Sequence, residues 1–184
     1  MKFAVIDIET TWEDQVMSIG VVIADGETKK KEVGSKYYII APEFRSGGMF
    51  SATLADAPDE KTFLMSRKDA IKDIKLLLDE ESVKMIFAYN ANFDYKHLPE
   101  LRQYTWVDIM KIAAYRQYNR FIPTCAECCG TGKLKRGYGV ESILNMIIDD
   151  YEETHNAYFD AIDELMIVER LGLDIKIYRN AIIN

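Results

Sequence analysis

The chain has 184 residues, 48% of them apolar and 29% charged, an ordinary composition for a folded protein large enough to bury a core. Its net charge of −7 argues against wrapping long duplex nucleic acid, where basic footprints carry the affinity, but leaves room for a small nucleic-acid substrate held by metal ions. No apolar run is long enough to span a bilayer, and the N-terminus meets Asp7 too soon for a signal peptide, so a cytoplasmic protein with no membrane partner is expected.

Phe3 to Ile8 reads as a strand, as do Val16 to Ala24 and, after a turn at Gly26, Lys36 to Ile40, which is expected to lie antiparallel to the second. Residues 41–60 are rich in Gly, Pro, Ser and Asp and read as an irregular loop. Ser66 to Asp79 has helical periodicity, with Ile71, Ile74, Leu77 and Leu78 on one stripe. Lys84 to Tyr89 is a buried strand, and Asn92 is expected to cap a short helix running to His97. A strand from Tyr104 to Val107 leads into a predicted helix from about Asp108 to Tyr118. A Cys/Gly/Lys-rich loop at 121–139 follows, then helices at Val140 to Ile148 and Asn156 to Leu171. Three opening strands followed by helix–strand–helix units predict an α/β fold with helices packed on a mixed sheet.

Three short constellations carry carboxylates. Asp7 and Glu9 are two apart on a strand, so both point to one face, roughly 6 to 7 Å apart along the chain. They stand at the carboxyl end of that strand, where open α/β sheets place their ligands. On these two residues alone, a strand that ends with its acids in water is an equal reading. Asp94, in the segment Ala88-Tyr89-Asn90-Ala91-Asn92-Phe93-Asp94, falls in a first helical turn, where an acid is favoured by the helix dipole in any case. His155 and Asp160 are five apart, about 140° around a helix, so they do not share a helix face. His155 is therefore placed in the loop before the last helix and Asp160 in its early turns, an arrangement that brings both to one cleft. Ala157 and Ala161 are small enough to let that helix approach the sheet closely. The alternative for Asp160 is a solvated acid on a helix that also carries Asp163, Glu164 and Glu169.

Taken in order, D-x-E, N-A-N-F-D and H-x4-D resemble the blocks of the DEDDh exonucleases, the superfamily of proofreading subunits and RNase T-like enzymes, over nearly the whole chain. The resemblance implies an RNase H-like sheet with three antiparallel N-terminal strands plus parallel strands and helices on both faces. It also implies a single exonuclease domain over 1–184, with the loop at about 121–139 as an insertion. The implied activity is metal-dependent 3′→5′ hydrolysis at single-stranded or frayed 3′ ends of DNA or RNA, releasing nucleoside 5′-monophosphates. By the same resemblance Asp7, Glu9, Asp94 and Asp160 hold two divalent ions, Mg²⁺ or Mn²⁺. Asp7, Glu9 and Asp160 would ligate one; Asp7 would bridge to the second, and Asp94 would act on that one through water. His155 would be the general base. A sister branch carries tyrosine four residues before the last aspartate; Asn156 stands there, so the histidine branch is the match. Thr10, Thr11, Asn92 and Phe93 are the expected substrate contacts. His97 is expected to be structural or at the surface.

Some features depart from the pattern. Trp12 replaces a glycine common in the family and reads either as a base-stacking platform or as a core residue. Gly48-Met49-Phe50 only loosely matches the apolar wedge of relatives, and Tyr89 stands where many relatives have histidine. Cys125, Cys128 and Cys129 form no disulfide framework. A zinc at Cys125 and Cys128 is not expected in one chain, because four ligands are needed. A flexible loop with reduced thiols is expected instead, with Lys133, Lys135 and Arg136 as a basic lid. A non-cleaving nucleic-acid-binding or polymerase-accessory module on the same fold is the competing function. DNA against RNA, a homodimer and a polymerase partner are left open.

Overall fold

Strand β1 (Lys2–Thr10) lies at the centre of the sheet, between β2 (Val16–Asp25), antiparallel to it, and β5 (Met85–Ala88), parallel to it. The computed structural model describes residues 1–31 and 34–184. β3 (Lys36–Ile40) continues antiparallel to β2, β4 (Thr62–Met65) runs parallel to β3, and β6 (Thr105–Asp108) runs parallel to β5. The resulting order is β4-β3-β2-β1-β5-β6.

Helices cover both faces. Ala4, Ile6 and Ile8 of β1 pack with α1 (Arg67–Glu80) on one side, and α2 (Asn92–His97) adjoins that core through Tyr95. Phe3 and Val5 pack on the other with α3 (Met110–Ala113), α4 (Val140–Ile147) and α5 (Ala157–Leu171). The period of two along a strand carries the Phe3–Val5 row on to Asp7 and Glu9, so both acids face α5. A Cβ at Gly20 of β2 would come within 1.9 Å of the Ala157 carbonyl oxygen. Only glycine lets the first turn of α5 settle this closely on the sheet. This is the α/β mixed sheet, helices on both faces, that the sequence predicts.

Three local expectations are corrected and one strand is added. β4 falls between the loop at 41–60 and the helix at Ser66, where no element is predicted; it is four residues long and lies at the sheet edge. Asn92 does not cap α2: Ala91 holds the cap position, and no side chain bonds there. The helix expected to run to Tyr118 ends at Ala113, because the Leu134 N–H takes the Ala114 carbonyl (2.9 Å) and the Arg116 N–H turns to Gly132 (3.0 Å). The loop at 121–139 is therefore tied down rather than free. The Arg116 guanidinium donates to the carbonyls of Pro123, Thr124 and Ala126, and Leu134 is buried. Among the described residues no helix is long and apolar enough to cross a membrane.

Candidate active site

Three elements converge at the carboxyl ends of β1 and β5. β1 delivers Asp7 and Glu9, the first turn of α2 delivers Asp94, and α5 delivers Asp160. Asp7, Glu9 and Asp160 form one set whose carboxylate oxygens lie within 4.8 Å of one another. Glu153, His155 and Asp160 form a second set at the same spacing, so Asp160 joins the two. Asp94 belongs to neither but is 2% exposed and close enough for its charge to act on Asp7.

The chain turns sharply into α5. His155 adopts a left-handed backbone (φ 55°), and Asn156 then caps the helix by accepting the Tyr158 N–H at 3.0 Å. The same Asn156 amide donates to the Thr53 carbonyl at 2.6 Å. Thr53 in turn donates to the His155 carbonyl at 2.5 Å, and Phe50 stacks on the imidazole at 4.3 Å and 19°. The segment that loosely matches an apolar wedge thus holds the histidine ring. Met49 is exposed.

The electrostatics are those of a site built for cations. Burial, followed by the charges of Glu164, Asp94, Asp160 and Glu9, pushes the Asp7 carboxyl well above the usual range. Burial and the Glu153 charge push Glu9 up to about 8. Burial, with Glu153, Glu9 and Asp163 adding, pushes Asp160 up to about 8. Burial also raises Asp94, although a backbone amide at Ile8 donates to it. Among the described residues no lysine or arginine forms an ion pair with any of these acids. Asp7 Oδ2, Asp94 Oδ1 and Asp160 Oδ1 are buried without a hydrogen-bond partner. Hard oxygen donors that lack partners and repel one another fit divalent ions such as Mg²⁺ or Mn²⁺.

The folded, metal-free protein therefore retains protons that the unfolded chain has already released. Carboxyls raised from about 4 to about 8 make stability fall as pH rises between those values. Thermal melts in chelator are expected to lose at least ~5 °C between pH 5 and pH 8, and divalent ions should remove the slope. A flat or rising profile in chelator would contradict this account of the cluster.

The expected substrate contacts fall into two groups. Glu9, Thr10, Thr11, Trp12, Met49 and Phe50 line a groove of about 280 Å³. Within it the Thr11 hydroxyl is committed to the β1–β2 turn, accepting the N–H groups of Glu13 (3.2 Å) and Gln15 (3.3 Å). Trp12 is 70% exposed, which removes the core reading. Asn92 and Phe93 are exposed at the start of α2, with the Phe93 ring 4.3 Å from His97. His97 bonds to the Phe93 carbonyl (2.8 Å) and to Asp14 (2.9 Å), away from the acids. Tyr89 donates its hydroxyl to the Tyr138 carbonyl. Sequence reading missed Glu153 and Glu164. The available signal for Glu164 was its spacing, one turn beyond Asp160 on the same helix face.

No family model and no curated protein matches the chain. Its fold is similar to that of a solved structure described as 3′-end specific recognition of histone mRNA stem-loop by 3′-exonuclease, and to the crystal structure of a full-length 3′-exonuclease. Each is 15% identical, with a TM-score of 0.63, over 92% of this chain and 80% of the other. At this identity the likeness establishes a shared fold.

Proposed function

We propose that the whole chain, 1–184, acts as one metal-dependent 3′→5′ exonuclease domain on single-stranded or frayed 3′ ends, releasing nucleoside 5′-monophosphates. The observation that carries this reading is the set of mutually repelling carboxylates, with partnerless buried oxygens on Asp7, Asp94 and Asp160, beside a held histidine and an open aromatic groove. The fold shared with 3′-exonucleases supports it. Asp7, Glu9 and Asp160 would hold one divalent ion, with Asp7 and Asp94 serving a second. Bound there, the ions would neutralise the scissile phosphate and the charge that develops on the leaving oxygen.

The remaining work belongs to the chain's own side chains. His155, neutral, takes a proton from the attacking water. Phe50 and Thr53 fix its ring and backbone, so the base need not be ordered in the transition state. Thr10 and the backbone at Thr11 border the terminal nucleotide, and Trp12 offers a stacking face to a base. Asn92 and Phe93, at the start of α2, would flank the strand on the other side. The basic residues Lys133, Lys135 and Arg136 sit on a tethered loop, so they would add positive potential rather than close as a lid.

Base stacking on an aromatic ring is worth about 1 to 3 kcal/mol. Trp12→Ala is accordingly expected to raise KM about tenfold and change kcat less than about twofold. An unchanged KM would remove Trp12 from the substrate path. The function itself is tested with 5′-labelled and 3′-labelled DNA and RNA oligonucleotides. Stepwise shortening from the 3′ end, with nucleoside 5′-monophosphates as products, is expected. Cleavage at internal positions, or binding with every oligonucleotide left intact, would overturn it; the second outcome is the non-cleaving module.

A further inference from the structure

The acid cluster contains carboxylates beyond the four with a proposed role, and Glu164 is the most buried of them. Glu164 is 2% exposed, on the inner face of α5 one turn beyond Asp160. The Tyr89 backbone N–H, at the end of β5, donates to its carboxylate. Its Oε2 has no partner at all. Glutamate is rarely buried this fully unless paired or bound to a metal. A protonated carboxyl with a purely structural role would use its O–H as a donor, and Oε2 neither donates nor accepts. The Glu164 charge acts on Asp7, and those of Asp94 and Asp160 act on Glu164, so it lies within electrostatic reach of the two acids proposed for the second ion.

We infer that Glu164 is a fifth carboxylate of the metal centre, serving the second ion beside Asp7 and allowing this protein to hold both ions before any nucleic acid binds. This rests on the acid cluster being a metal site. Asp7, Glu9 and Asp160 lie together and would hold the first ion, which would leave the second with fewer protein oxygens. A ligand there changes the order of events. Without it, the substrate phosphate must complete the second site; with Glu164, the site is charged in advance.

The test is Mn²⁺ binding to the full chain without nucleic acid, followed by calorimetry and by the loss of the free-ion electron paramagnetic resonance signal. Two equivalents are expected for the unaltered protein. Glu164→Gln keeps the shape and is expected to weaken the second equivalent at least about tenfold while leaving the first nearly unchanged. Glu169→Gln, an exposed site on the same helix, should change neither. Metal-free Glu164→Gln should also melt higher than the unaltered protein and gain less from Mn²⁺, since it no longer buries that charge. Two equal equivalents in Glu164→Gln would overturn the inference and leave the proposed function standing. No Mn²⁺ binding by the unaltered protein would overturn both.

Discussion

Asp7→Asn is expected to lower kcat at least about 10³-fold on a single-stranded oligonucleotide at saturating Mg²⁺. Asp7 sits at the centre of the cluster: the charges of Glu164, Asp94, Asp160 and Glu9 all act on it. It is also the one acid proposed to serve both ions. Asparagine keeps its size and one oxygen but removes the charge that two cations would share. The same change removes a buried, repelled carboxylate, so the metal-free variant should melt higher than the unaltered protein. Loss of activity together with gain of metal-free stability separates a functional acid from a structural one. An Asp7→Asn protein with near-normal rate would take away the core of the mechanism.

His155→Ala is expected to lower kcat by about 10²- to 10⁴-fold, the usual size of a lost general base. Metal and oligonucleotide binding should largely survive. Phe50→Ala provides the intermediate case, because it leaves the base in place but removes the ring stacked on it at 4.3 Å. A smaller loss of kcat is expected there. If His155→Ala keeps its rate, the base lies elsewhere, and Glu153, clustered with His155, is the next candidate.

Much of this was legible in the chain because its periodicities are strong. β1 and β2 are long apolar strands buried on both faces, and α1 carries a clear stripe below its Ser66 cap. The carboxylates could be ordered before any coordinates because the D-x-E spacing fixes one strand face and the turn before α5 separates His155 from Asp160. What escaped depends on distant partners. β4 is too short and too exposed to carry a pattern of its own. α3 stops early because a loop twenty residues downstream takes the Ala114 carbonyl, which no local propensity reveals. Glu164 looked like one more solvated acid on a charged helix. Its burial is set by how closely α5 settles over Gly20, a tertiary fact. Trp12 was open between core and surface for a similar reason, since the turn that carries it outward is pinned by Thr11.

The central claim is that the acids are a two-ion site. Anomalous diffraction from crystals soaked in Mn²⁺ and a nucleoside 5′-monophosphate tests it most directly. Two peaks are expected, one within ligand distance of Asp7, Glu9 and Asp160 and one between Asp7 and Asp94, with the nucleotide phosphate against both. Crystals that bind the nucleotide but show no peak among these acids would contradict the account.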